Sequence, residues 1–279
     1  MSTLSHKLSA NQVNNIWSQL REEALLNQAQ EPVLRDYLHT FLLNRQSLSD
    51  AIGYMLAHEL VGETVDTALL YGVFTEGHKA DPTILTAALA DLIAIIERDP
   101  AAAGKLLVPF LFYKGFHALQ AYRLAHWLWS QKRSTLAFYL QSRIAKCFSV
   151  DIHPAACIGQ GVMMDHANGI VIGETSVVEN NVSFLHSVTL GGTGKEGGDR
   201  HPKIRAGVMI GAGAKILGNI EIGAGARIAA GSVVLQAVPP HVTVAGVPAR
   251  VVGIAGCDKP SEEMDQIVLV PEPLGSTPK

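Results

Sequence analysis

Four histidines, at positions 153, 166, 186 and 201, stand among acids and glycines in the second half of the chain. Imidazole is the side chain whose proton comes and goes near neutral pH, so each is a candidate base. His166 follows Asp165 and precedes the small, flexible run Ala167-Asn168-Gly169. His201 closes a stretch that holds Gly191, Gly192, Gly194, Gly197 and Gly198, too flexible for a regular element and suited to an active-site loop. Arg200 beside it carries the planar fork that matches a carboxylate. Asp165 is the acid beside His166 in the sequence. These residue types can take a proton from a hydroxyl, hold both charges of a zwitterion or, if imidazoles converge between subunits, ligate zinc. A lone histidine is more often structural, and His153, which precedes a proline, reads as a packing residue.

The elements that must position these groups change character near residue 151. Of the 17 Phe, Tyr and Trp residues only Phe184 lies beyond that point, and 20 of the 26 glycines do. One core can accept rings, and the other wants small and branched aliphatics with frequent corners. The first part reads as helices over 11–30, 32–44, 47–60, 65–78, 81–98, 109–130 and 133–148, because apolar residues recur at three- and four-residue spacings. Asp81-Pro82 is a helix start, an acceptor followed by a ring that needs no N–H partner. Asp99-Pro100 is a helix stop, because proline disfavours helical geometry in the residue before it. The clusters Trp127/Trp129 and Phe110/Phe112/Phe116 read as core or subunit-contact residues.

Beyond residue 151 the period becomes six. It runs through Ile152, Ile158 and Met164, then after a two-residue slip through Ile172, Val178, Phe184 and Leu190. After the glycine-rich interruption it resumes at Ile204, Ile210, Ile216, Ile222, Ile228 and Val234. Two residues earlier the side chain is small or branched, as at Ala156, Ser176, Val188 and Ala226, and on a strand such pairs face the same way. A short strand, a corner and the same again describes a parallel solenoid of three-sided coils, each burying its neighbour. His166 sits at the slip and His201 in the second interruption.

The totals bound the function. A chain of 279 residues suits about two domains. With 48% hydrophobic and 17% charged residues it is not disordered, and a formal charge of -3 argues against a nucleic-acid wrapper. Cys147, Cys157 and Cys257 are scattered and unpaired in sequence, which excludes a disulfide framework or thiolate cage and fits a reducing compartment. Residues Met1 to Ala10 show no apolar signal segment, and the apolar run Ile84 to Ile96 carries Asp91 and falls short of the roughly 20 residues a membrane span needs. A cytoplasmic protein without membrane or nucleic-acid partners is expected. No P-loop and no GxGxxG after a strand is found.

The six-residue repeat resembles the hexapeptide acyltransferase superfamily, whose solenoid is a left-handed parallel β-helix. The hand is taken from the resemblance and runs against the usual crossover preference. Asp151-Ile-His-Pro-Ala-Ala, Met164-Asp-His-Ala-Asn-Gly-Ile170, Thr189-Leu-Gly-Gly-Thr-Gly-Lys195, Gly198-Asp-Arg-His-Pro-Lys-Ile204, Ala245-Gly-Val-Pro-Ala-Arg250, Asp99-Pro100 and Lys114-Gly-Phe-His-Ala-Leu-Gln120 narrow it. They resemble the serine O-acetyltransferases of cysteine biosynthesis, over residues 10 to 265. The implied architecture is α+β multidomain: a helical N-terminal domain over 1–148, a left-handed β-helix over 149–256 with a loop at about 191–203, and a flexible C-terminal tail over 257–279.

The resemblance implies acetyl transfer from acetyl-CoA to the hydroxyl of L-serine, without an acyl-enzyme, a metal or a bound cofactor. It makes His166 the general base, oriented by Asp151, and places His201 in a site completed by a neighbouring subunit. Arg200 and His201 would meet the serine carboxylate, and Asp99 and Asp165 its ammonium. Between residues 200 and 250 six basic residues face a single acid, Glu221, an excess that suits the phosphates of coenzyme A. Gly192, Ala212 and Ala230 are expected along its pantetheine arm, where small residues allow close approach. A homohexamer built as a dimer of trimers and feedback inhibition by cysteine are also implied. Relatives that bind O-acetylserine sulfhydrylase end in isoleucine, whereas this chain ends in Lys279, whose charge is costly in an apolar slot, so that partnership is not carried over. Three other readings remain: a same-fold acetyltransferase for sugars or xenobiotics, a carbonic-anhydrase-like zinc lyase using His153, His166, His186 and His201, and a non-catalytic scaffold.

Overall fold

The computed structural model describes residues 10–102, 104–194 and 197–267. Helices occupy the chain as far as Phe148, and the first strand starts at Val150. In order they are α1 (Ala10–Gln30), α2 (Arg35–Leu38, between a 3₁₀ turn Pro32–Leu34 and a π turn His39–Leu43), α3 (Leu48–Glu59), α4 (Thr67–Ala80), α5 (Thr83–Arg98), α6 (Leu107–Phe112), α7 (Lys114–Ser130) and α8 (Ser134–Phe148). Ser47 caps α3 by accepting from the Asp50 amide, and Asp66 caps α4 through the Leu69 amide. Asp81 accepts the Thr83 amide at 3.0 Å where α5 starts, and Asp99 ends that helix in extended geometry before Pro100.

One expectation changes. The stretch 109–130 is two helices, broken at Tyr113, whose backbone is extended (φ -86°, ψ 102°). The aromatic spacing runs through the break, so local pattern does not reveal it. Tertiary contacts do: His117 Nε2 lies 2.8 Å from the Phe110 carbonyl across it, and Gly115 is pressed against the Met164 carbonyl, where a Cβ would come within 2.1 Å.

α7 is buried continuously from Gly115 to Ala125 and joins the two halves of the molecule. Asp91, wholly buried on α5, accepts from Arg123 Nη2 (2.7 Å) and Nε (3.0 Å), from Gln120 (3.0 Å) and from the Val162 amide of the solenoid (2.9 Å). Arg123 also donates to the Gly159 carbonyl at 2.7 Å. Each member of the pair is compensated, the condition under which a buried charge is tolerated.

The solenoid has three parallel sheets of five, four and six strands, the last closed by an antiparallel hairpin of Val242–Gly246 and Ala249–Ile254. Its registers turn the six-residue period into columns. Ile152, Ile172, Leu190, Ile216 and Val234 stack in one sheet, and Ile158, Val178, Ile204 and Ile222 in the second. Met164, Phe184, Ile210, Ile228 and Val244 stack in the third. All are buried except Ile158, which is half-buried at the seam with α7.

The stretch read as a tail from Cys257 begins with docked chain. A short α9 (Pro260–Glu263) packs on α5, the Ser183 hydroxyl donates to the Ser261 carbonyl at 2.7 Å, and buried Arg227 donates to the Asp265 carbonyl at 3.0 Å. Residues 268–279, with Lys279, lie outside the described residues, as do Lys195 and Glu196 of the loop at 191–203. Among the described residues no helix is long and apolar enough to cross a membrane.

Candidate active site

Regular corners of the solenoid hold four residues, as at 185–188 and 211–214. The corner at the slip holds five, Asp165 to Gly169. His166 and Ala167 both sit at φ +53°, left-handed geometry that costs a residue with a Cβ about 1–2 kcal/mol. Hydrogen bonds hold the corner in place. The Asn168 amide donates to the His166 carbonyl (2.8 Å), Gly169 to Ser149 (2.8 Å) and Ser187 of the next coil to Asn168 (2.6 Å). Ala167 is fully buried beneath, and Lys114 at the start of α7 donates to the Asn168 side chain. The fold therefore throws the His166 ring outward, with its side chain 76% exposed.

The ring projects at the edge of a cleft of about 670 Å³ between the end of α5, the break at Tyr113, the slip corner and the irregular chain after α9. Asp99, Tyr113, Lys114, Asp165, His166 and Met264 line it. Burial holds the Asp165 carboxyl above its ordinary range, the His166 imidazole pulls it back, and Asp99 pushes it up again. Two carboxylates thus share one cleft, a setting that welcomes a cation. Burial and its bond to Asp99 push the Tyr113 phenol up to about 12, so it is a neutral donor toward that acid. Arg98 forms part of the lining, buried and bonded to the Gly161 carbonyl (3.0 Å) and the Ser183 hydroxyl (3.1 Å).

The second interruption builds a different corner. The Arg200 guanidinium pairs with Glu174 (2.7 Å), which lowers the Glu174 pKa, and donates to the Gly198 carbonyl (3.1 Å). His201 is buried, its Nδ1 2.9 Å from the Thr175 hydroxyl and 3.2 Å from the Thr175 amide. Burial, then Arg200, pushes its pKa down.

Of the residues expected from sequence, Asp99, Asp165 and His166 meet in one cleft. Arg200 and His201 lie at another corner of the same chain and are not among the residues lining it. Asp151 points outward from its strand and accepts from Gln141 at 2.7 Å, two residues from Ser149, which anchors the slip corner. The carboxylate facing His166 Nε2 is that of Asp165, at 3.9 Å. Ala212 and Ala230 occupy the corner column above His166: the Gly213 amide donates to the His186 carbonyl (2.9 Å) and the Gly231 amide to Ala212 (2.8 Å). Gly192 lies instead beside Arg200, where a Cβ would be 3.5 Å from its side chain. His186 stacks edge-on with His166, 6.2 Å between centroids, and His153 packs between Trp129 and Phe138. Among the described residues no three His, Cys, Asp or Glu side chains are grouped as metal ligands.

Tyr113, Lys114, Glu174 and Thr175 were missed as site residues. Lys114 opens a motif already singled out, and Glu174 and Thr175 sit one coil before His201, a spacing that could have pointed to them. The basic excess is largely spoken for: Arg205 pairs with Glu179 and Glu221, Lys203 with Asp199 and buried Arg227 with Asp265. Only Glu221 lies within the window of residues 200 to 250; Asp199 sits just before it, Glu179 one coil earlier and Asp265 near the chain end, so a count by that window overlooks them.

Comparisons place this arrangement. The family model for the serine acetyltransferase N-terminal domain matches residues 16–121, and the bacterial transferase hexapeptide model (six repeats) matches 201–236. The chain is 55% identical to the serine acetyltransferase of Escherichia coli (strain K12) over 259 residues, 93% of this chain and 94% of that one. It superposes on the Vibrio cholerae serine acetyltransferase crystal structure with a TM-score of 0.89 at 56% identity, covering 91% and 98% of the two chains. A serine acetyltransferase solved with cysteine gives 0.89 at 50% identity, covering 92% and 99%. The Brucella abortus strain S19 enzyme solved with coenzyme A and the soybean enzyme solved with serine are both 52% identical, with TM-scores of 0.86 and 0.85; each match covers 88% of this chain, and 98% and 100% of theirs. With the helical half matched by the N-terminal model, the left-handed parallel β-helix by the hexapeptide model, and 55% identity over 93% of the chain, the chain belongs to the serine acetyltransferase family.

Proposed function

We propose that this chain transfers the acetyl group of acetyl-CoA to the hydroxyl of L-serine, giving O-acetylserine and coenzyme A, the first step of cysteine biosynthesis from serine. The observation that carries the reading is the convergence of Asp99, Asp165 and an outward His166 in one cleft. Two acids receive the ammonium of an amino acid, and an accessible imidazole stands beside them to take the hydroxyl proton.

The reaction runs without an acyl-enzyme. His166 accepts the serine proton as the oxygen attacks the thioester carbon; the tetrahedral intermediate collapses, the C–S bond breaks, and the imidazolium returns the proton to the departing thiolate. Asp165, and Asp151 through the slip corner, hold the ring and stabilise its charged form. Arg200 and His201 come from a neighbouring copy, whose second interruption abuts the slip corner in a trimer, and two trimers join through the helical halves. Coenzyme A lies along the column of half-buried Ala212 and exposed Ala230; Gly192 serves the Arg200 side of the site. Cysteine, with the same ammonium and carboxylate, competes in the serine pocket and inhibits.

Release of free thiol from acetyl-CoA on adding L-serine tests the reading, with galactosides and chloramphenicol as control acceptors. Turnover on serine alone supports it; no turnover on serine ends it.

A further inference from the structure

Thr175 makes an unusual number of bonds for one small residue. Its amide points at His201 Nδ1 at 3.2 Å, and its hydroxyl oxygen lies 2.9 Å from the same nitrogen. That oxygen also accepts the backbone amides of Arg200 (3.0 Å) and His201 (3.1 Å). An amide N–H is a donor only, so the nitrogen it faces must present a lone pair. With its own acceptor positions filled by two amides, the Thr175 hydroxyl donates its proton, to Nδ1 or to the nearby Asp199 carboxylate. Either choice leaves Nδ1 unprotonated.

The ring edge carrying Cδ2 and Nε2 packs against Gly173, where a Cβ would come within 2.1 Å of both atoms, and the Thr175 contacts hold Nδ1 on the opposite side. The charged and titratable groups around it are Arg200, Lys203, His153 and Glu174, and burial together with Arg200 outweighs Glu174 in disfavouring the imidazolium. A neutral imidazole with a bare Nδ1 carries its hydrogen on Nε2. Among the described residues Nε2 makes no hydrogen bond, so its donor is unspent.

We infer that Thr175 is a positioning residue that locks His201 as the Nε2–H tautomer, making this imidazole a hydrogen-bond donor to an anionic oxygen of the substrates rather than a second base. The inference rests on His201 belonging to the serine acetyl-transfer site. Within that reaction the serine proton moves to His166 and back to the thiolate, while the Nε2 proton of His201 stays where it is throughout. A preset donor aimed where negative charge gathers needs no reorganisation at the moment of reaction.

The test is a two-bond proton–nitrogen correlation of the full-length protein labelled with ¹⁵N-histidine, His201 being assigned by its loss in His201→Gln. The expected wild-type pattern is a bare, hydrogen-bonded Nδ1 and a protonated Nε2 at neutral pH. Thr175→Val keeps the amide but removes the hydroxyl that accepts the Arg200 and His201 amides and so holds the ring against it. The loosened ring is expected to leave that amide, average the two tautomers and lower kcat about 5- to 10-fold, the worth of one hydrogen bond, with little change in the KM for serine. Thr175→Ser should restore both signals and rate. A wild-type His201 that is charged or protonated on Nδ1 overturns the inference, and so does a valine variant with unchanged tautomer and kcat. Because the spectrum is read without substrate, a correct tautomer in a protein inactive on serine would count against the functional reading alone.

Discussion

The two breaks in the solenoid present their histidines by opposite means. At 165–169 the two-residue slip brings two left-handed positions, and the strained corner pushes His166 into the open with no bond shorter than 3.9 Å to a carboxylate. At 192–202 the chain makes a long excursion, yet its end is tied down, and His201 is buried under bonds from Thr175. A base must meet a hydroxyl and later a thiolate, so access matters; a donor to developing charge must be in place beforehand, so fixation matters. The backbone supplies the first and side-chain bonding the second.

Removing each imidazole tests that contrast most sharply. His166→Ala should lower kcat by on the order of 10²–10⁴, the usual worth of a general base, and His201→Ala by less, on the order of 10²–10³. Steady-state rates decide it, and the reverse ranking would break the division of labour. Next comes the support behind the first break. Asp91→Ala strands the Arg123 guanidinium beneath α7 and should cost about 3–5 kcal/mol in urea unfolding. The glycines packed behind the two breaks should then differ. Gly115→Ala drives a methyl into the Met164 carbonyl and should cost about 1–3 kcal/mol along with activity, because backbone must move. Gly173→Ala meets the His201 side chain instead, and should disturb the tautomer signal with a smaller loss of stability, about 1 kcal/mol. Equal losses in thermal melts would remove the distinction.

The smallest effect is on Asp165. Its folded pKa is raised, chiefly by burial, so this group favours the fold at low pH and that contribution disappears as pH rises through the folded value. At neutral pH, Asp165→Asn should therefore melt slightly higher than the parent, by roughly 1–2 °C, while binding serine worse. The gain should shrink as pH falls through the raised pKa. A variant that melts lower at neutral pH would show that the acid stabilises its corner.

The repeat was legible because burial in a stack of coils demands the same aliphatic residue every six positions, and Ile210, Ile216, Ile222 and Ile228 are wholly buried as that demand requires. His166 was legible as the residue at the slip. Tyr113 was not, because Phe110, Phe112 and Phe116 keep a helical spacing across a break that only α7 docking on the Met164 carbonyl imposes. Nor was the docked segment after Cys257, whose polar residues look like solvated chain until Ser183 and Arg227 are seen to hold Ser261 and Asp265.

Periodicity and residue type by themselves determined the two kinds of core, the three-sided coil and the places where it is interrupted, since these follow from which side chains water excludes. Tertiary structure alone decided which groups share a cleft, that Asp99 crosses from the helical half to meet Asp165, and that Thr175 dictates where one proton sits on His201. Those are matters of a few tenths of an ångström between residues far apart in the chain, and hydrogen bonds and close contacts are sensitive at that scale whereas patterns of burial are not.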